Sequence, residues 1–291
     1  MKTRSITLMF FFLLFACLPS ALAQTPKLAT PITAPPKLLL LVHRQIKFGS
    51  EAERQKLETQ MSRACDGLNV PNSWIDLESV TGESKSLSFD PFDSFAQMDQ
   101  AFVGWGQLFA AHPDLAQLQE QIKSQVTSER TIIAVRRDDL GYRKDFIDLS
   151  KMRFMRVLQV RVRPGYESSF EEAFKILGAA YERINATTPW VVYQVNVGMP
   201  SPSFLVFVPM QALQQNDDLL AWRKDLRQAE GEDAVRRMEE IAKQAYESTE
   251  SNLYAVSPEV SHVAKEFADG DPQFWLPTSP SRKETSSPKK P

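Results

Sequence analysis

The chain has 291 residues, 43% hydrophobic and 24% charged, so it can form a packed core and wholesale disorder is excluded. Lys and Arg number 34 against 36 Asp and Glu, a formal charge of −2 that gives no reason to expect a nucleic-acid partner. Two cysteines exclude a disulfide framework or a Cys-rich metal site. At roughly 150 residues per domain, the length favours about two domains.

Residues 1–23 have the pattern of a secretory signal peptide. A basic start, an apolar stretch and an Ala-x-Ala cleavage site follow one another: Lys2 and Arg4, Leu8 to Leu18, and Ala21 to Ala23. The apolar stretch is shorter than the ~20 residues that span a bilayer, so we expect no transmembrane segment in the mature chain. The predicted location is the bacterial periplasm or the extracellular space. Lipid attachment at Cys17 is the alternative way of processing the leader.

The ends of the mature chain have a composition unlike its centre. Residues 24–36 contain four prolines and predict an extended tether. Residues 276–291 are dominated by Pro, Ser and Lys and predict a disordered tail. Between them we expect two domains, residues 37–153 and residues 154–275. Cys65 loses its only possible partner with the leader, and its helical context predicts a small buried side chain rather than a nucleophile.

The two domains resemble each other in sequence. Ile46–Glu51 aligns with Val162–Glu167 at an offset of 116 residues, and the alignment continues through Asn69 with Asn185 and Trp74 with Trp190. A longer hairpin in the second copy moves the offset to 118, and a later length change moves it to 121, which pairs Ala134 with Ala255. We therefore expect two copies of one unit.

Each copy shows the element order βαββαβ, the ferredoxin-like unit. Apolar and β-branched runs predict the strands, and apolar residues at helical spacing predict the helices. The predicted elements, first copy then second, are strands Leu38–Lys47 and Arg156–Arg163, helices Glu51–Leu68 and Ser168–Ile184, strands Trp74–Thr81 and Trp190–Val197, strands Leu87–Asp90 and Phe204–Val208, helices Leu115–Val126 and Asp233–Tyr246, and strands Thr131–Arg136 and Asn252–Val256. Pro91 and Pro209 are expected to end the third strands. An extension after each fourth strand, ending at Phe154 and Trp275, is expected to dock on its own domain.

An open four-stranded sheet with helices on one face needs a cover for its other face. The predicted fold class is therefore α+β, with two tandem ferredoxin-like repeats packed sheet to sheet as an intrachain pseudo-dimeric α/β barrel. Val160–Phe170, with its strand, Pro-Gly, acidic residue and Phe, resembles the opening of domains in the dimeric α/β-barrel superfamily, which includes antibiotic-biosynthesis-monooxygenase-like and NIPSNAP-like proteins. Ile46–Glu51 is a degraded version of this motif, and the resemblance covers most of residues 38–256.

The resemblance implies the fold and leaves several activities open, since members range from cofactor-free oxygenases to haem enzymes and proteins without known activity. Oxygenase relatives typically carry an Asn, a Trp and a His in the pocket, and this trio does not map onto one copy here. Strand alternation predicts a lumen with polar groups and aromatic walls, while Ile75, Leu77, Val191, Tyr193 and Val195 are expected beneath the helices. The candidate ligand-binding residues in the lumen are His43, Trp74, Asp76, Glu78, Arg161, Trp190, Gln194 and Asn196.

Each candidate also has a structural interpretation. The matched tryptophans are suited to core packing, Asn69 and Asn185 to left-handed helix ends, and the Asp76 and Glu78 pair to an ion pair with Arg161. No two histidines have metal-ligand spacing, so no metal site is expected. Two functions remain open. One is a non-catalytic protein without a cofactor that binds a small apolar or aromatic molecule, or a protein partner, through the lumen. The alternative is a cofactor-free oxygenase or haem-binding enzyme with His43, Trp74 and Arg161 in its pocket.

Overall fold

The computed structural model describes residues 34–276; the predicted leader, most of the predicted tether and the tail beyond Leu276 lie outside them. Within this range eight antiparallel strands close into a barrel. Their bounds are β1 Leu38–Ile46, β2 Ile75–Ser79, β3 Lys85–Phe92, β4 Val126–Tyr142, β5 Phe154–Val162, β6 Trp190–Val197, β7 Ser203–Met210 and β8 Tyr246–Val256. The predicted α+β class and the barrel are confirmed. No helix of residues 34–276 has the length and apolar character needed to cross a membrane.

The strands follow the order β1-β3-β2-β8-β5-β7-β6-β4 around the barrel. In each half the fourth strand lies beside the first, and the third separates the first from the second. The registers also correspond, since Leu41 pairs with Phe89 in the first half and Val157 with Phe207 in the second. The contacts β2–β8 and β4–β6 join the halves.

The pairing of β4 and β8 shows that the predicted alignment of the fourth strands was wrong by one residue. Ala134 lies opposite Leu39, and Tyr254 lies opposite Met155. Leu39 and Met155 are themselves 116 residues apart, so the structural counterpart of Ala134 is Tyr254 and not Ala255. The identities at an offset of 121 had favoured the neighbouring register, and a one-residue slip turns every side chain to the other face of a strand.

The helices of the described residues lie outside the barrel or cap its end. They are α1 Glu51–Gly67, α2 Phe95–Ala111, α3 Pro113–Ser124, α4 Glu167–Arg183, α5 Asn216–Leu220, α6 Trp222–Glu230, α7 Glu232–Ala245, α8 Lys265–Ala268 and α9 Pro272–Trp275. Asn69 and Asn185 follow α1 and α4 with φ angles of 52° and 53°, which confirms the predicted left-handed helix ends. Cys65 on α1 is fully buried, as predicted.

The interior of the barrel is filled with apolar side chains from all eight strands. The inward residues include Leu39, Leu41, Ile75, Leu77, Phe89, Ala134, Val157, Val191, Tyr193, Val195, Leu205, Phe207 and Tyr254. A void of only about 20 Å³ remains among them, next to Pro35 and Pro36 at one end of the barrel. The part of the lumen lined by these residues is therefore an apolar core and not the polar ligand pocket that was predicted there.

The two prolines in the third strands do not end them. Pro91 pairs with Leu39 and Pro209 with Met155, so both strands continue past the predicted stop. The paired register of β2 with β3 begins at Ile75 and Phe89, which leaves Pro91 on a stretch of β3 with one free edge. A residue without an N–H group fits such an edge without losing a ladder hydrogen bond.

The extensions after the fourth strands contact each other rather than their own halves alone, which corrects that prediction. Ile147, Leu149 and Met152 of the first extension pack with Phe267 and Trp275 of the second at the end of the barrel core. The Trp275 indole N–H donates a hydrogen bond of 2.7 Å to the carbonyl of Ser150. Both extensions therefore share the task of closing the barrel.

Residues 257–262, which we name the closing segment, leave β8 and lie against the first half. The backbone N–H of Trp74 donates to the carbonyl of His262, and the Ser261 hydroxyl accepts from the backbone N–H of Asp76 at 2.9 Å. The Trp74 indole N–H donates to the carbonyl of Val260 at 3.0 Å. This segment forms part of the site described next.

Candidate functional site

A cavity of about 250 Å³ lies between the first-half sheet and its helices, and we name it the first-half cavity. The outward faces of β1, β2 and β3 supply polar groups, while α1, α2, α3 and the closing segment supply mainly apolar walls. The lining residues are Val42, Arg44, Glu58, Met61, Trp74, Asp76, Ser88, Asp90, Trp105, Phe109, Gln119, Ile122 and Val260. A small cavity with polar groups set among aromatic walls is typical of a small-molecule site.

The aromatic wall is held by contacts between three elements. The rings of Trp74 and Trp105 lie 6.0 Å apart, and the Trp105 and Phe109 rings on α2 stack at 5.5 Å. The hydrogen bond from Trp74 to Val260 fixes the first ring against the closing segment. Neighbouring aromatic groups at these distances stabilise one another beyond their burial.

Two arginines and three carboxyl groups form a charged cluster at the polar side of the cavity: Arg44, Arg54, Glu58, Asp76 and Glu78. Arg54 on α1 is 1% exposed and donates hydrogen bonds to both Glu58 and Glu78. Arg44 on β1 reaches Glu58 at 3.7 Å and donates to Glu129 at 2.8 Å. Buried charges need such partners, because removing an ion from water costs several kcal/mol.

Several polar atoms of this region have no hydrogen-bond partner in the described structure. They are the acceptors Asp76 Oδ1 and Glu58 Oε1, the Ser86 hydroxyl and one donor, Arg54 Nε; Glu58 Oε1 lies 3.7 Å from the Arg44 guanidinium, beyond hydrogen-bond distance. The Ser88 hydroxyl donates to the other Asp76 oxygen, Oδ2, so only one side of that carboxyl group is satisfied. A buried acceptor without a donor costs about 1–3 kcal/mol, and a bound molecule with N–H or O–H groups would supply the missing donors.

Burial makes these carboxyl groups weak acids. Burial and then the nearby Asp76 carboxylate raise the pKa of Glu58 to about 8. Burial raises the pKa of Asp90 to about 7, with Arg44 opposing it. Burial also raises the pKa of Asp76 and of Glu78 above their ordinary values. Carboxyl groups that titrate near neutrality can take up or release a proton at the pH at which most proteins work.

Of the predicted site residues, the structure brings Trp74, Asp76 and Glu78 together, but outside the lumen. They share the outward face of the chain around β2, beneath the helices, while Ile75 and Leu77 point inward. The predicted faces of β2 and β6 are therefore reversed, whereas those of β1 and β5 are correct. Alternation divides each strand into two faces but does not say which face meets the helices, and placing the more polar face in the lumen moved every side chain of β2 and β6 to the wrong side.

The other predicted residues lie elsewhere. Trp190 is buried beneath α4 and donates to the carbonyl of Leu140 at 2.9 Å; Gln194 accepts from Arg137 at 3.1 Å; and Asn196 is exposed. Arg161 pairs with Glu247 at 2.9 Å, so the expected ion pair with Asp76 and Glu78 is wrong.

His43 also lies away from the first-half cavity. It lies on the inward face of β1 near Lys85, and burial followed by that lysine lowers its pKa. Its role as a ligand-binding residue stays a prediction.

The residues that the predicted site lacked are Arg44, Arg54, Glu58, Ser88, Asp90 and Trp105. A signal for three of them was present in the repeat: at the offset of 116, Arg44, Arg54 and Glu58 align with Val160, Phe170 and Phe174. Charged residues at positions where the other copy has core residues indicate a buried polar site.

The cavity does not fit haem. Haem iron takes His, Cys, Tyr or Met ligands, and the lining residues include no His, Cys or Tyr, with Met61 as the only sulfur. Its volume also lies below the roughly 300–1,000 Å³ of pockets for drug-sized ligands. Glu58, Asp76 and Glu78 place oxygens within 4.8 Å of one another, as a metal ion requires. Arg54 already supplies the positive charge between Glu58 and Glu78.

The two four-stranded sheets of this chain form one closed eight-stranded barrel, with the helices outside it. Among solved structures, an anthrone oxidase-like protein is similar over 78% of this chain and 94% of its own, with 17% identity and a TM-score of 0.50. A chlorite dismutase variant from Candidatus Nitrospira defluvii is similar over 81% and 96%, with 9% identity and a TM-score of 0.47. No family model and no curated protein sequence matches the chain. The similarity to the anthrone oxidase-like protein concerns the fold alone.

Proposed function

We propose that this protein binds a small organic molecule in the first-half cavity. The observation that carries the proposal is the difference between the two halves, which we also infer to be copies of one unit. The place in the second half that matches the charged cluster is filled with apolar side chains. The corresponding pairs are Arg44 and Val160, Arg54 and Phe170, Glu58 and Phe174, Asp76 and Val192, Ser86 and Phe204, Ser88 and Val206, and Asp90 and Val208.

The difference between the two halves shows which residues the fold requires and which it does not. The second half packs Phe170 against Phe204 with a ring separation of 4.0 Å and has no charged group at these positions. Well-packed apolar residues stabilise a fold as well as, or better than, a buried ion-pair network. The fold therefore does not require the charged cluster, and ligand binding accounts for it.

A cavity-filling variant tests the proposal. Gln119 on α3 lines the cavity, and Gln117 on the same helix is exposed. We expect native mass spectrometry of the purified protein, or a thermal-shift panel of small amines and hydroxyaromatic compounds, to detect a ligand. Binding should be lost in Gln119→Phe and kept in Gln117→Phe. Binding that is equal in both variants would place the ligand elsewhere, and the absence of any ligand would reject the proposal.

A second candidate is a cofactor-free oxygenase, favoured by the weakly acidic carboxyl groups against an aromatic wall. In this mechanism a Glu58 or Asp90 carboxylate takes a proton from an acidic CH₂ group of the substrate. The carbanion adds dissolved dioxygen and takes the proton back as a hydroperoxide, which loses water to give the ketone. The structural similarity to an anthrone oxidase-like protein suggests anthrone as the probe. We expect oxygen uptake with anthrone that falls at least tenfold in Glu58→Gln and is unchanged in Glu51→Gln. If oxygen uptake does not exceed the rate in buffer, the oxygenase function is rejected and the binding function remains.

We further propose that residues 1–23 export the chain to the periplasm or the medium of a bacterium. The basic start, the apolar stretch and the Ala-x-Ala sequence support this proposal. N-terminal sequencing of the exported protein should begin at Gln24. A lipid-modified N-terminus at Cys17 would show the alternative processing, and an uncleaved chain in the cytoplasm would reject export.

A further inference from the structure

We propose that the ligand of the first-half cavity is a small organic cation, a primary amine carried on one ring or a short apolar body. The inference rests on the proposed function and adds the chemical class of the ligand. Three independent features of the cavity lead to it: acceptors without donors, an excess of acidic groups and an aromatic wall.

The unpartnered acceptors point to a ligand that donates hydrogen bonds. Asp76 is 1% exposed and its Oδ1 has no hydrogen-bond donor; Glu58 is 6% exposed, and its Oε1 has only the Arg44 guanidinium at 3.7 Å, outside hydrogen-bond distance. Both residues line the cavity. An ammonium group has three donors and no acceptor, so it can satisfy both oxygens at once.

The charges around the cavity favour a cation over a neutral donor. Four carboxyl groups, Glu58, Asp76, Glu78 and Asp90, come from α1, β2 and β3, against the two guanidinium groups of Arg44 and Arg54. Arg44 also pairs with Glu129 of β4. The walls from α2, α3 and the closing segment contribute no titratable group to the lining. One positive ligand would offset part of this acidic excess.

The aromatic wall of the cavity suits an organic cation better than a metal ion. Trp74, Trp105 and Phe109 line the cavity beside the carboxyl groups, and a cation within about 6 Å of such a ring is attracted by its π-electron face. The volume of about 250 Å³ corresponds to roughly eight water molecules at ~30 Å³ each, which is the size of a single-ring amine and far larger than an ion.

The test is a titration of the full chain with three probes of similar shape: 2-phenylethylamine, 2-phenylethanol and 3-phenylpropanoate. Isothermal titration calorimetry at pH 8 should show the amine binding at least tenfold more tightly than the alcohol, with no binding of the carboxylate. Asp76→Asn should remove the preference for the amine, and Asp99→Asn, an exposed change on α2, should keep it.

A second readout separates a charge-specific site from a merely apolar one. Burial raises the pKa of Glu58 and of Asp90 into the neutral range. Between pH 6 and 8.5 these groups ionise while the amine stays protonated, so its affinity should increase with pH and binding should release protons. The affinity of the alcohol should stay constant.

The outcomes distinguish the inference from the proposed function. If the alcohol binds as tightly as the amine, the proposal of a small-molecule site stands and the inference that the ligand is a cation is rejected. If the amine does not bind, the inference that the ligand is an organic cation is also rejected. The proposed function is rejected with it only if native mass spectrometry and the thermal-shift panel detect no ligand either. Stabilisation by Mg²⁺, Ca²⁺ or Zn²⁺ that Asp76→Asn removes would replace the organic cation with a metal. The comparison of the three probes on the wild-type protein tests the inference even if a variant does not fold.

Discussion

Arg54 and Glu58 lie one helical turn apart on α1, at positions that face the sheet and would ordinarily carry apolar residues. Their burial is tolerated because Arg54 pairs both with Glu58 on its own helix and with Glu78 on β2. The charges of single residues, rather than packing alone, therefore decide how the first half responds to pH and to substitution.

We predict that the protein loses stability as the pH rises from about 5 to 8. Burial raises the pKa of Glu58 to about 8, so in this range the folded chain holds a proton that the unfolded chain releases. The free energy of unfolding falls with rising pH wherever the folded state binds more protons than the unfolded state. Urea unfolding at several pH values should show a smaller slope in Glu58→Gln than in the wild type.

The matched control is Glu51→Gln, which removes an exposed carboxyl group from the first turn of the same helix. Its stability should follow the wild-type pH dependence. Equal slopes in Glu58→Gln and the wild type would show that Glu58 is ionised in the folded chain throughout this range.

We predict that Arg54→Met destabilises the protein by about 3–5 kcal/mol, because it removes the guanidinium that pairs with the buried Glu58 and the half-buried Glu78. Arg63→Met on the exposed side of the same helix should change the free energy of unfolding by about 0.5 kcal/mol or less. Chemical denaturation at pH 8 measures both. A loss in Arg54→Met no larger than in the control would mean that protonation alone neutralises the cluster.

At the level of elements, the segments after the fourth strands complete the barrel. The first extension supplies Leu149 and Met152, and the second supplies Phe267 and Trp275. The indole of Trp275 is 5% exposed and stacks edge-on against Phe267 with a ring separation of 5.0 Å. These contacts connect two parts of the chain more than a hundred residues apart.

We predict that Trp275→Ala destabilises the fold by about 3–5 kcal/mol, through a cavity at the end of the barrel and the lost hydrogen bond to Ser150. Leu276→Ala is the control, because its side chain is 56% exposed. Thermal unfolding should show a lower midpoint for the first variant and little change for the second. Similar midpoints would show that the second extension is not part of the cooperative core.

For the whole molecule, neither half can bury its inward face alone. The inward apolar residues of one sheet meet those of the other, and β2–β8 and β4–β6 pairing removes the sheet edges. A separated half would expose both the apolar face and two open edges, which favours association between chains.

We therefore predict that residues 154–275 expressed alone do not form a stable monomer. Size-exclusion chromatography with light scattering should show dimers or larger species, and the full chain serves as the comparison. A monomeric fragment with a cooperative unfolding transition would contradict the prediction and show that the second half folds independently.

The sequence alone determined the element order, the barrel and the helix-ending asparagines, because these depend on local patterns: apolar spacing, positive-φ residues and the match between the copies. It also singled out Trp74, Asp76 and Glu78. It could not assign the faces of β2 and β6, since alternation separates two faces without showing which of them lies inside the barrel.

Only the tertiary structure decided where the site lies. The charged cluster combines α1 with β1 and β2, and the first-half cavity beside it is closed by residues 257–262, which are far from these elements in the chain. Such a site depends on contacts between distant segments, and on whether apolar side chains fill the lumen or leave it open. The two domains that length first indicated form one barrel, whose first half carries the polar cavity and whose second half carries a filled core.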